Sequence, residues 1–141
     1  LGIPQTVSVG ATDVVNFGPP EAVPTRFRGR TLVQHNPQVT LMRTDKRECV
    51  EIARTVAAKL NGATGPVSLF LPLQGASALS APGGAFCDPD ADQVLRDELA
   101  AALGKHIDIV TLDMNINDPR FGRLMAERLV WYLDSASKVG G

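Results

Sequence analysis

The sequence predicts an α/β domain, a parallel sheet with helices on its faces, and three observations carry that expectation. Three segments with the apolar period of a helix each open on an Asp. Each follows a short apolar run rich in β-branched or bulky residues. The longest small-residue stretch, Gln74 to Phe86, lies between one of those runs and a helix start. Strands alternating with helices imply parallel pairing, because a crossover long enough to return the chain to the same end of the sheet is usually a helix.

The elements follow in order. Thr6–Val9 reads as a strand at the front, and Thr31–His35 as the strand before the first helix, with Val39–Met42 a short extra one. The first helix runs from about Asp45 to Leu60, with Asp45 as cap and Glu48 three residues on. Cys49, Ile52, Ala53, Val56, Ala57 and Leu60 share one face, and Gly62 ends the helix. Val67–Leu71 is the next strand. Asp88-Pro89 opens the second helix, where Asp caps free amides and Pro suits the first turn, and Gly104 closes it. Ile107–Leu112 is the third main strand, and Asp118-Pro119 opens a helix with Phe121, Leu124, Met125, Leu129 and Tyr132 inward. Such a layout, with three to four βα units, is Rossmann-like.

Composition bounds the function. The chain has 141 residues, 44% of them hydrophobic and 21% charged, which suits one domain, residues 1–141, with a buried core. A net charge of -1 without a basic cluster argues against direct binding to nucleic acid or anionic lipid. No apolar run approaches the roughly 20 residues that span a bilayer, and no segment reads as a signal peptide, so the expected location is cytoplasmic. Cys49 and Cys87 lack metal-type spacing and are expected to be free thiols. The first residue, Leu1, reads as the approach to a strand in a longer polypeptide.

In parallel sheets ligands sit beyond the carboxyl ends of the strands. That rule selects Asp13 and Asn16; His35, Asn36 and Arg43; the Gln74–Gly84 loop; and Asp113, Asn115, Asn117 and Asp118. Four polar clusters are thereby expected on one rim. In the loop, Gly75, Gly83 and Gly84 allow close backbone approach while Ser77 and Ser80 offer hydroxyls. The loop contains neither GxGxxG nor the P-loop pattern. Gly75-Ala76-Ser77-Ala78-Leu79 approaches the nucleophile elbow of hydrolases, with Leu79 in place of the final glycine. Asp88, Asp90 and Asp92 mimic the opening of a calcium loop, but Gln93 and Leu99 stand where its glycine and bidentate glutamate belong. No metal site is expected.

Several longer motifs together resemble a family. Gly2-Ile3-Pro4-Gln5, Asp13-Val14-Val15-Asn16-Phe17-Gly18, His35-Asn36-Pro37, Val39 to Thr44, Leu71-Pro72-Leu73 with Gly75, Ala81-Pro82-Gly83-Gly84 and Asn117-Asp118-Pro119 occur in order along almost the whole chain. They resemble the carboxy-terminal half of the tomato mosaic virus resistance protein-like, ATP-binding family. The resemblance implies a protein of two α/β halves, this chain being the second. The amino-terminal half would carry its own glycine-rich strand-helix unit and hold most of any ATP with Mg. Dimers are implied as well, as is, in plant members, inhibition of viral RNA replication through viral replication proteins.

The resulting expectation is a small-molecule site between the halves, for a nucleotide or a phosphorylated or carboxylate metabolite. Gly75, Ser77, Gly83 and Gly84 shape and hydrogen-bond the ligand, Asn36 and Arg43 fix an anionic group, and Asp13, Asn16, Asp113 and Asn115 complete the lining. Two alternatives stand beside it. One is a hydrolase with Asp113 or His35 as base and Ser77 as nucleophile; the other is a protein-interaction scaffold.

Overall fold

In the computed structural model residues 2–139 are described, with side chains through Ser135. Their order is β1 (Gln5–Ser8), β2 (Val14–Phe17), β3 (Leu32–Asn36), β4 (Val39–Arg43), α1 (Lys46–Asn61), β5 (Val67–Pro72), α2 (Pro89–Ala102), β6 (Ile107–Leu112) and α3 (Pro119–Val139). Short 3-10 turns at Pro20–Ala22 and Thr25–Phe27 link β2 to β3.

Two sheets result. β1, β5 and β6 form a parallel sheet in that order, with Gln5 opposite Val67 and Val67 opposite Ile107. Strand β5 is central, and all six of its residues are buried. On one face of this sheet Val67, Leu69 and Leu71 join Val9 and Ile107 against Cys49, Ala53 and Leu60 of α1 and Ala91, Leu95 and Leu99 of α2. Alternation sends Ser68 and Phe70 to the opposite face, which α3 covers. There Phe121 meets Phe70 edge-on at 6.3 Å, and the Tyr132 hydroxyl lies 2.7 Å from Ser68 Oγ. Arg128 pairs with Asp108 and donates to Ser68 Oγ at 3.0 Å. An open groove of about 300 Å³ remains beside α3, between Phe70, Val110, Leu112, Leu124 and Trp131. Among the described residues no helix is long and apolar enough to cross a membrane.

The second sheet corrects the expected topology. Leu32–Asn36 is no parallel strand; it pairs antiparallel with β4, whose other edge takes β2, in the order β2-β4-β3. The cause is local. Only Pro37-Gln38 separates β3 from β4, too short for anything but a hairpin, and Asn36 Oδ1 closes the turn by accepting from the Gln38 amide at 2.8 Å. Val14–Phe17, expected only as polar rim, is a strand because its turn from β1 lays it against β4.

Helix boundaries follow their caps. The Asp45 carboxylate accepts from the Glu48 amide at 2.9 Å and Glu48 returns the bond to the Asp45 amide at 2.8 Å, a closed capping box that Arg30 braces with ion pairs to both acids. Ala53, Ala57 and Ala91 are at most 1% exposed, and these small side chains let α1 and α2 sit close to each other and to the sheet. Asn61, at the end of α1, donates to Ala102 O and accepts from the Gly104 amide, so it ties off the end of α2.

Two substitutions test these local arguments by urea unfolding of the full-length protein. Asp45→Ala should lower stability by about 1 kcal/mol through loss of the cap. Gly122→Ala, in a stretch of α3 where an added Cβ meets nothing within 4 Å, should raise it by roughly 0.5 to 1 kcal/mol.

Candidate functional site

The carboxyl ends of β1, β5 and β6 carry the densest buried polar network. After β1 the chain turns sharply: Thr12 N donates to Val9 O and Val14 N to Ala11 O. Ala11 holds φ at +56°, the left-handed region that a residue with a side chain adopts only where its surroundings enforce it, and its amide is fixed to Ala76 O at 2.8 Å. This turn folds Asp13 back over the strand ends, where it is 1% exposed. Asp13 Oδ2 accepts from Ser77 Oγ at 2.5 Å, while Oδ1 is buried with no hydrogen-bond partner among the described residues. A buried carboxylate oxygen left without a donor is costly, so its retention invites a functional reading.

The loop after β5 is built from backbone and serine. Ser77 Oγ accepts from the amides of Leu79 and Ser80 at 3.2 and 3.3 Å, and Ser80 Oγ accepts from the Ser77 amide at 3.1 Å. Gly75, at φ +104°, admits no side chain, since a Cβ there would lie 2.6 Å from the Ser80 carbonyl carbon. A Cβ on Gly84 would lie 2.2 Å from Leu79 O. Gly83 also has positive φ, at +80°, but faces open space. From the end of β6, Asn115 Nδ2 donates to the carbonyls of Gln74, Gly75 and Ser77 at 2.8, 3.2 and 2.9 Å. Gln74 Nε2 donates to Asp113 Oδ1 at 2.6 Å at the exposed outer margin.

Arg43, leaving β4, runs beneath this loop and is 5% exposed. Its Nε donates to Phe86 O at 2.9 Å, one terminal nitrogen to Thr44 Oγ1 at 3.1 Å, and the other to Asp92 Oδ1 at 2.5 Å. Thr44 in turn donates through its hydroxyl to Thr12 O and through its amide to Asp13 O, both at 3.1 Å. Burial outweighs the neighbouring guanidinium at Asp92 and pushes its carboxyl up from the ordinary value. Burial likewise pushes up the thiol of Cys49, beside Thr44.

The structure therefore gathers Asp13, Gly75, Ser77 and Asn115 at the strand ends, with Asp113 at their margin and Gly83 and Gly84 in the same loop. Asn16, His35 and Asn36 lie exposed on the antiparallel sheet. The rim expected from four clusters is formed by three strand ends, because the strand carrying His35 belongs to the second sheet. Neither His35 nor Asp113 is a hydrogen-bond partner of Ser77 among the described residues. The Arg43 charge is engaged internally. Ser80, Thr44, Gln74 and Asp92 complete the network; Ser80 and Gln74 carry a sequence signal through their place in the glycine loop, whereas Asp92 stands out only in the calcium-like Asp triplet and nothing local points to its pairing with Arg43. A cleft of about 70 Å³ opens beside the loop between Gln74, Gly75, Ser80, Cys87, Asp92 and Arg96. No cluster of three or more His, Cys, Asp or Glu suited to a metal occurs among the described residues.

Gly75→Ala should destabilise the full-length protein in urea unfolding by more than 1 kcal/mol, on the order of the strain of a misplaced side chain at positive φ. Asp118, which caps the approach to α3, is drawn down to about 2 by its hydrogen bonds and ion pair with Arg120. A folded value below the ordinary 3.8 means the stabilisation is complete above the ordinary value and is lost as pH falls towards 2. NMR titration should show the Asp118 carboxyl moving back towards 3.8 in Arg120→Ala.

Comparison with known proteins places the chain in a family. Residues 1–133 match the C-terminal domain of the uncharacterised protein family UPF0261. The chain is 45% identical over 131 residues to a UPF0261 protein of Clostridium tetani, covering 92% of this chain and 32% of that protein. It is 48% identical over 121 residues to UPF0261 protein RA0729 of Rhizobium meliloti, covering 84% and 30%. It is also 42% identical over 127 residues to the tomato (Solanum lycopersicum) ToMV resistance protein Tm-1(GCR237), covering 89% and 17%. The chain thus spans about a third of the length of the bacterial relatives it matches. It belongs to the UPF0261 family, as its C-terminal domain.

Proposed function

We propose that this domain supplies one wall of a small-molecule site at the carboxyl ends of β1, β5 and β6, the other wall coming from another part of the same polypeptide. Asp13 carries this reading: a carboxylate 1% exposed, held by a strained turn against a glycine-shaped loop, with one oxygen lacking a partner among the described residues. In parallel sheets with Rossmann-like winding, this is where ligands bind. The wall is rich in acceptors, from Asp13, Asp113 and the serine hydroxyls, and Arg43 is turned inward to Asp92 and Phe86 O. The part of the ligand seated here is therefore one that donates hydrogen bonds, a hydroxyl or amine. The phosphates of a nucleotide such as ATP, with its Mg, or the acid group of a carboxylate metabolite fall to the other wall.

Binding is preferred to hydrolysis because Ser77 is hydrogen-bonded to neither Asp113 nor His35 among the described residues. A cytoplasmic, dimeric protein remains part of the proposal. An interaction role has one observation in its favour: Val130 and Trp131 on α3 are 54% and 59% exposed. The name of the tomato relative, a ToMV resistance protein, suits such a role.

A thermal-shift screen of the full-length protein against ATP, sugar phosphates and small carboxylic acids, with and without Mg, tests the binding reading. A ligand at a hundred times its Kd should stabilise by about 2.7 kcal/mol. Asp13→Asn and Asp113→Asn should reduce that gain, whereas His35→Ala should not. Absence of any shift, or a shift lost in His35→Ala and kept in Asp13→Asn, contradicts the proposal.

A further inference from the structure

The parallel sheet has two outer edges, along β1 and along β6, and they are not equivalent. Strand order runs one way, β1-β5-β6, and the helices of both steps, α1 and α2, lie on one face. Helix α3 leaves β6 on the opposite face, as its bonds to Ser68 and its ring contact with Phe70 establish, and runs back over β5 and β1. Connections between parallel strands are almost always right-handed. A helix on that face carries a right-handed step only in the direction from β6 back to β1. The winding reverses at β1, and in this sheet β1 has no neighbour beyond it among the described residues.

Edge chemistry agrees. Sheets protect a true edge with charge. The β6 edge carries Asp108, exposed and ion-paired to Arg128, and follows directly on Lys105 and His106. Strand β1 is Gln-Thr-Val-Ser, without a charge. Its outward hydrogen-bonding groups can be identified. Gln5 N donates to Pro66 O on the β5 side, so alternation turns Val7 the same way and sends the amides of Thr6 and Ser8 outward. On the other side, Leu73 N donates to Leu112 O, so the outward amides of β6 are those of Ile109 and Thr111.

We propose that the outer edge of β1 is a seam at which another segment of the same polypeptide adds a strand parallel to β1. Relatives about three times as long as the matched region have ample chain to supply it. Strand order then reverses at β1, and the crevice above Gly10–Asp13 becomes the switch point of the sheet. That last assignment, of the crevice as the ligand's place, rests on the binding function proposed above; the seam does not.

Residue-resolved amide hydrogen exchange on the ligand-free, full-length protein tests the seam by itself. Thr6 and Ser8 should exchange about a hundredfold or more slower than Ile109 and Thr111, which serve as the open-edge reference. Exchange at Thr6 and Ser8 as fast as at Ile109 and Thr111 overturns the proposal. Protection of Thr6 and Ser8 that vanishes on dilution to monomer also overturns it, because the edge would then be covered by a second copy. No ligand enters the measurement, so failure of the binding reading and failure of the seam are separate results.

Discussion

The Arg43 guanidinium is the joint on which the remaining architecture depends. It starts from the last residue of an antiparallel strand and reaches the loop that follows the central parallel strand and the first turn of α2. Beside it, Thr44 and the Arg30 ion pairs tie the end of the second sheet to the β1–β2 turn and to α1, and Leu41 and Met42 of β4 are buried. A buried ion pair is not itself a large net stabiliser, since two desolvated charges roughly consume what their attraction returns. Its effect is on uniqueness. The same guanidinium that pairs with the partly buried Asp92 also donates to Phe86 O, so one side chain ties the end of β4 to both α2 and the loop.

This joint explains how a loop so rich in small residues can be an ordered rim. Gly75 and Gly84 bring backbone against backbone, Ser77 and Ser80 bond each other's amides, Asn115 collects three carbonyls, and Phe86 is 1% exposed beneath. Most loop polar groups are thereby satisfied from within, which lowers the ordering cost that a ligand would otherwise meet. Asp13 is the exception. Its unpartnered oxygen sits where three strands end, and the strain at Ala11 keeps it there.

Much of this was legible in the residues, and the failures share one cause. The helices could be read because their determinants are local: Asp45 with Glu48, Asp88 with Pro89, and an apolar face at helical spacing. Strand β5 could be read as a mostly apolar run buried along its whole length, as the centre of a parallel sheet requires, and β6 as an edge strand in which Asp108 and Thr111 interrupt Ile107, Ile109, Val110 and Leu112. The pairing of β3 is not legible, because its position before a helix suggests a βα unit, while Pro37-Gln38 gives none of the usual two-residue hairpin signals. At the site, Asp13, Gly75, Ser77 and Asn115 were identifiable as polar or flexible residues just past strand ends. Arg43 was identifiable only as a charge. Its partner Asp92 is 49 positions away, and nothing local distinguishes a guanidinium that awaits an anion from one already paired.

A double-mutant cycle between Arg43 and Asp92 tests this account most directly. Arg43→Leu, Asp92→Leu and the double variant of the full-length protein would be compared by urea unfolding. A structural joint predicts that each single change is costly, by about 3 to 5 kcal/mol for Asp92→Leu, which leaves the buried Arg43 charge alone, and by less for Arg43→Leu, because Asp92 is only partly buried. The double variant should recover part of that loss, with a coupling of roughly 1 to 3 kcal/mol. Additive losses, with coupling below about 0.3 kcal/mol, would contradict it and leave the rim without the tie that orders it.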